Sequence, residues 1–234
     1  MSDAPWLTDL TETLAAYGVD PVAAPRLQAL LELVRDDPTA PTTVTDPAEG
    51  VAVHIADSLD GLAVPAVREA RRIADLGTGA GFPGIPLAVA LPDAHVHLVE
   101  SLSRKCAFLE RALEAAEVSN ATVACARAET WAERELDVVT VRAVAPLNVL
   151  VEYAAPLLRL GGTLVAWKGQ PADAEVADGV AAAAIVGLQA GDPVVLEPRP
   201  GAAHRRLYLY SKVRETPSRF PRRPGMARKR PLSS

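Results

Sequence analysis

Apolar residues in the first 64 positions recur every three or four residues, which predicts helices. Pro5 to Tyr17 and Pro21 to Arg35 form two such stretches, the second with Leu27, Leu30, Leu31 and Val34 on one face. Gly18 and the Asp36-Asp37-Pro38 cluster end them. Residues 38–45, with two prolines and four threonines, form a loop. Asp46-Pro47-Ala48-Glu49 then has the marks of a helix start: a capping acid, proline at the first helical position and glutamate at the third. That helix is expected to run through Leu59.

Beyond residue 65 the pattern changes to short apolar runs at 72–76, 95–99, 121–125, 137–142 and 162–167. Between them 84–91, Ser103–Ala116 and Leu147–Leu158 have helical spacing, and another helix is expected to begin near Trp131. Such alternation predicts an α/β fold, a parallel sheet with helices on both faces. The end differs. Runs at 193–197 and 206–212 have no helix between them and predict an antiparallel hairpin at a sheet edge, while the alanine-rich stretch 172–190 predicts a helix broken near Gly179 and Gly187. The expected division is an N-terminal helical extension (1–64), a main domain (65–213) and a tail (214–234).

Charge sharpens this picture. The chain of 234 residues has a net charge of −5, but Arg205 to Arg230 holds ten Lys and Arg against one acid, Glu215. That segment is +9 and the remainder −14. A solvated basic terminus is the plain reading. Ser218-Arg219-Phe220-Pro221-Arg222-Arg223-Pro224-Gly225 favours a polyanion partner instead, because prolines keep the backbone extended and arginines reach phosphates. No apolar run spans a membrane, the first residues lack the basic region of a secretory signal, and a cytoplasmic location is expected. Cys106 and Cys125 have neither CxxC nor Cys/His spacing, so reduced thiols and no metal are expected.

The candidate chemistry lies in Ile73-Ala74-Asp75-Leu76-Gly77-Thr78-Gly79-Ala80-Gly81-Phe82-Pro83-Gly84, followed sixteen residues later by Glu100 at the end of the next strand. Glycines permit a tight bend and let a ligand lie against the main chain. The turn alone suits NAD, FAD or S-adenosylmethionine. Gly81 follows Gly79 by two residues, not the three of the dinucleotide fingerprint, and Pro83 and Pro86 occupy a helix start that a pyrophosphate would need as free N–H groups. S-adenosylmethionine fits best. Main chain at Gly77, Thr78 and Gly79 is then expected near its amino-acid end and ribose, Glu100 on the ribose hydroxyls and Ser101 beside the adenine. Ala128 and Glu129, after the third strand, share that edge, although Glu129 could simply cap the following helix. Arg142 ends the fourth strand; its fork of donors could hold a cofactor carboxylate, a substrate oxygen or a phosphate, or pair with a nearby acid. Lys168 is a candidate RNA contact, and His54 reads as a packed helix residue. The fourth strand is not followed by the Asn/Asp-Pro-Pro-aromatic pattern that grips an exocyclic amine, and neither cysteine has the Pro-Cys context of pyrimidine methylation. Methylation of a small molecule or a protein, and a non-catalytic RNA-binding form of the fold, remain alternatives.

Further motifs are His54-Ile55-Ala56-Asp57-Ser58-Leu59, Phe82-Pro83-Gly84-Ile85-Pro86-Leu87, Glu100-Ser101-Leu102-Ser103-Arg104-Lys105, Arg127-Ala128-Glu129, Val141-Arg142-Ala143-Val144-Ala145-Pro146-Leu147 and Trp167-Lys168-Gly169. With the tail from Pro217 to Leu232, over about residues 46–230, the chain resembles the bacterial 16S ribosomal RNA guanine-N7 methyltransferase family, also called glucose-inhibited division protein B. The resemblance implies a Rossmann-like methyltransferase with a mostly parallel seven-stranded sheet. It implies a monomeric enzyme that uses S-adenosylmethionine to methylate N7 of one guanine in 16S rRNA or the small ribosomal subunit. It places the cofactor at Gly77, Phe82, Glu100, Ala128, Glu129 and Arg142, with Arg142 also at the reacting centre. The RNA falls to Lys168 and the tail residues Arg219, Arg222, Arg223, Arg228, Lys229 and Arg230. Residues 33–45 lack the Trp-Asn and Asn-Leu-Thr elements usual in the family, which bears on RNA seating and not on the cofactor.

Overall fold

The computed structural model describes residues 5–142, 145–198 and 204–233; the Ala143-Val144 part of one motif lies outside them. Helices α1 (Pro5–Ala16) and α2 (Ala24–Asp36) open the chain. Asp46 caps α3 (Pro47–Gly50) by accepting from the Glu49 amide at 3.0 Å. The helix then widens into a π-helical stretch, Val51–Ala56, and closes as α4 (Asp57–Leu59). A short α5 (Pro65–Arg68) leads to the sheet.

Strands β1 (Arg72–Leu76), β2 (His95–Glu100), β3 (Ala121–Cys125), β4 (Leu136–Arg142) and β5 (Leu158–Lys168) are parallel in the order β3-β2-β1-β4-β5. Helix α6 (Gly84–Ala90) follows β1, α7 (Ser103–Ala115) follows β2, and α8 (Leu147–Ala154) joins β4 to β5. After α9 (Asp173–Val186) come β6 (Leu188–Ala190), β7 (Val194–Val195) and β8 (Arg206–Lys212). β8 runs antiparallel beside β5, and β6 and β7 pair with its other side as one strand interrupted at 191–193. Counted so, the sheet has the seven strands expected, and the hairpin lies at its edge. A short α10 (Met226–Lys229) lies in the tail.

Alternate strand residues enter opposite cores, as the twofold pleat requires. Ile73, Val96, Val138 and Val165 pack with α1, α2, α6 and α7, so the N-terminal helices share a core with the sheet. Ala74, Val99, Val139 and Leu164 pack with α8, α9 and the tail residues Phe220 and Ala227.

Three expectations are corrected. α9 runs unbroken through Gly179, where a Cβ would stand 2.7 Å from the Tyr210 hydroxyl and 2.8 Å from Leu147 Cβ, so that glycine serves close packing. Gly187 alone ends the helix, in a left-handed conformation. No helix starts near Trp131; the β3–β4 connection is a turn followed by irregular chain at 131–135. The cysteines are not free thiols: Cys106 and Cys125 form a disulfide. Parallel pairing sets Cys125 opposite Glu100, and the first turn of α7 brings Cys106 back to that point. Among the described residues, no helix is long and apolar enough to cross a membrane.

Candidate active site

The glycine turn is built by conformation and close approach. Gly77, Gly79 and Gly81 have φ of +68°, +60° and +94°, a region that other residues seldom enter. The Gly77 and Thr78 amides both donate to the Val99 carbonyl, at 2.8 and 3.4 Å, tying the turn to the end of β2. Asp75 is fully buried beneath it, accepting from the Gly84 amide at 2.9 Å and the Thr140 hydroxyl at 3.1 Å. A Cβ at Gly84 would stand 2.9 Å from that carboxylate and 2.3 Å from Leu98, so glycine is what lets the acid reach the start of α6. Burial pushes the Asp75 carboxyl up to about 6, against hydrogen bonds that favour its charged form.

A cavity of about 200 Å³ opens above the carboxyl ends of β1, β2 and β3. It brings together Gly77, Glu100, Ser101, Ala128 and Glu129. Glu100 is 5% exposed and firmly held: its Oε1 accepts from the Ser101 and Leu102 amides at 2.7 and 3.0 Å. Its Oε2 has Lys105 Nζ at 3.7 Å, beyond hydrogen-bond reach, and is poised to accept from a ligand. An anchored carboxylate beside a turn without side chains fits the ribose of a nucleoside cofactor.

Thr78, Gly79, Phe82 and Arg142 do not line this cavity. Phe82 and Arg142 belong to a neighbouring cluster. The Phe82 ring stacks on His54, centroids 4.3 Å apart and planes within 2°, and Arg142 Cζ lies 5.6 Å from the Phe82 centroid. Arg142 Nη1 donates to Asp57 Oδ2 at 2.9 Å and to the Val53 carbonyl at 3.1 Å; Arg205 Nε donates to Asp57 Oδ1 at 2.7 Å. Asp57 is fully buried, and its carbonyl accepts from Trp167 Nε1 at 2.7 Å. Among the described residues, two guanidinium groups thus meet on this one carboxylate. His54 is buried with Nε2 2.9 Å from the Val44 carbonyl, and burial holds its ring below the usual histidine range. The sequence motif contained Asp57 without giving it a role, and Arg205 carried no signal beyond its charge. The π-helical widening at Val51–Ala56, a form frequent at functional sites, presents the Val53 carbonyl to Arg142.

The basic residues divide. Lys168 Nζ donates to the Ala145 carbonyl at 2.8 Å and pairs with Glu175 at 2.7 Å. Arg222 pairs through Nε (2.8 Å) and Nη2 (2.5 Å) with Glu152, a carboxylate only 1% exposed. Arg228, itself exposed, lines the cavity. Arg219, Arg223, Lys229 and Arg230 are exposed, Arg219 lying 5.1 Å over the Phe220 ring. The tail is therefore not the extended arm its prolines suggest. It is docked on α8, and Glu129, with no helix at Trp131 to cap, accepts from the Gly225 amide at 2.9 Å.

Comparison with known proteins agrees with this geometry. Residues 34–195 match the family model described as rRNA small subunit methyltransferase G. A protein named Ribosomal RNA small subunit methyltransferase G from Desulfitobacterium hafniense is 41% identical over 196 residues, covering 82% of this chain and 81% of its own. One of the same name from Symbiobacterium thermophilum is 39% identical over 237 residues, covering 95% and 96%. Among solved structures, a SAM-dependent O-methyltransferase from Thermotoga maritima (TM-score 0.53, 17% identity, 69% of this chain and 66% of that one) shares the fold. So does a mutant of MtNAS in complex with S-adenosylmethionine (TM-score 0.57, 16% identity, 88% and 78%). The chain belongs to the rRNA small subunit methyltransferase G family.

Proposed function

We propose that this protein methylates N7 of a guanine in 16S rRNA, in the free RNA or the small ribosomal subunit, and that it acts in the cytoplasm as a monomer. The observation that carries the reading is the adjacency of two sites at one sheet edge: a nucleoside cavity ending on Glu100, and a cationic cluster of Arg142 and Arg205 around Asp57 beside the Phe82 ring. S-adenosylmethionine supplies an electrophilic methyl group on a sulfonium. Guanine N7 presents a lone pair and no proton, so transfer needs in-line placement and no general base.

The residues divide the work accordingly. Gly77, Thr78 and Gly79 offer main chain to the amino-acid and ribose parts, Glu100 accepts the ribose hydroxyls, and Ser101, Ala128 and Glu129 border the adenine. Phe82 packs beside Arg142 and His54 in the cationic cluster. Arg142, fixed by Asp57 and Val53, holds the guanine or the cofactor carboxylate at the reacting centre. Arg219, Arg223, Lys229 and Arg230 face solvent and meet RNA phosphates; Lys168 and Arg222, already paired, support that surface.

The test is a methyl-transfer assay on small-subunit RNA and particles lacking the modification, with N7-methylguanine mapped by borohydride and aniline cleavage. One new cleavage site that depends on protein and cofactor is expected. Unmodified N7 after prolonged incubation, with label appearing on a small molecule or protein instead, would overturn the reading.

A further inference from the structure

The crossover from β3 to β4 lacks the helix that would normally cover its face of the sheet. The tail fills that place. Phe220 is 8% exposed and Ala227 1%, in one core with Val99 and Val141, and Ala128, Trp131 and Leu232 pack against it. Three polar anchors hold it down: Arg222 on Glu152, the Leu232 carbonyl accepting from Asn148 Nδ2 at 2.7 Å, and the Gly225 amide donating to Glu129 at 2.9 Å. Gly225 turns the chain with φ of +81°, and the next turn of helix brings Arg228 to the cavity that also holds Glu100 and Ala128. There Arg228, Tyr153 and Glu129 line one wall together; burial and then the Glu129 carboxylate raise the Tyr153 phenol above its usual range, and the Arg228 guanidinium counters them.

We infer that residues 225–228 form a wall of the S-adenosylmethionine site, with Arg228 a cofactor-binding residue and not part of the RNA surface. The inference rests on the cavity assignment proposed above. It departs from the view of the tail as a single basic arm. The tail acts in two ways. Arg228 offers donors to a ligand rich in acceptors, and the Gly225 amide fixes the Glu129 carboxylate facing the adenine. Because the wall belongs to a separate strap of chain, cofactor binding and tail docking stabilise each other.

The test uses the full-length protein and S-adenosylhomocysteine. By calorimetry, Arg228→Gln is expected to weaken binding on the order of five- to tenfold, the loss of a hydrogen bond from a charged group. RNA affinity of the ligand-saturated variant should be unchanged. Arg223→Gln should do the reverse, weakening RNA binding and reducing its salt slope by about one with the ligand affinity intact. In unmodified protein, saturating ligand should slow tryptic cleavage between Arg222 and Arg230 several-fold. If Arg228→Gln leaves ligand affinity intact and weakens RNA binding, or if the ligand gives no protection, the inference falls and the cavity assignment stands. If unmodified protein shows no binding of S-adenosylhomocysteine, both fall.

Discussion

The cofactor cavity and the cationic cluster stand side by side on one sheet edge, yet they are assembled in opposite ways. The cavity takes its glycine turn and its anchored acid from one short span, 75–101, in which a turn and the strand after it are hydrogen-bonded neighbours, and only its remaining walls come from farther along the chain. The cluster gathers Val53 and Asp57, Phe82, Arg142 and Arg205 from four separate stretches and centres on a buried carboxylate. Local construction makes a site out of backbone, where glycine matters more than side-chain chemistry. Long-range construction makes a site out of charge, where one buried carboxylate is shared by two arginines.

That contrast can be broken experimentally. The largest effect is expected from Gly77→Val, which puts a β-branched side chain at a position with φ of +68° beside the cavity. S-adenosylhomocysteine affinity should fall by more than about 100-fold in calorimetry, while far-ultraviolet circular dichroism keeps the native spectrum. Asp57→Asn keeps size but removes the charge that orients Arg142 and Arg205. Methyl transfer should drop by about 100-fold through misplacement alone, with cofactor affinity within about twofold. A parallel loss of cofactor affinity would mean that the two sites are one.

Glu100→Gln sharpens the comparison from the other side. It should weaken S-adenosylhomocysteine about tenfold, the worth of a charge-assisted hydrogen bond, and leave the pH profile of transfer unmoved. The smallest effect concerns Asp75. Its carboxyl is raised to about 6 in the folded chain, above the unfolded value near 3.8, so the native state takes up its proton first. The stability it contributes is complete below that unfolded value and is lost as pH rises through about 6. Urea denaturation at pH 5 and pH 7 should show Asp75→Asn losing about 1 kcal/mol less than the parent over that interval.

The parallel strands were legible because each is a short apolar run with turn residues on both sides, and the structure moves their ends by one residue at most, except for β5, which begins four residues early. The antiparallel edge was read less well: β6 fell inside the stretch expected as helix, and of the run 193–197 only Val194–Val195 is strand. The cavity was legible for the same reason: glycine spacing and the strand-end acid are local facts. The helix expected at Trp131 failed because its apolar residues are covered by the tail, a partner some ninety residues away. The disulfide escaped notice because its halves lie 19 residues apart and meet only through the pairing of β2 with β3. Charge misled most in the tail, where composition counts Arg222 and Arg228 with Arg223 and Arg230 although the fold pairs the first with a buried acid and turns the second to the cavity.

By itself the sequence determined the parallel sheet, the glycine bend and the acid that faces it, since backbone preference and hydrophobic period act between near neighbours. Tertiary structure alone decided that Asp57 joins Arg142 to Arg205 and that the tail closes over Glu129. A charge or a short strap acquires its partner only once packing brings distant segments within a few ångströms and removes the water between them.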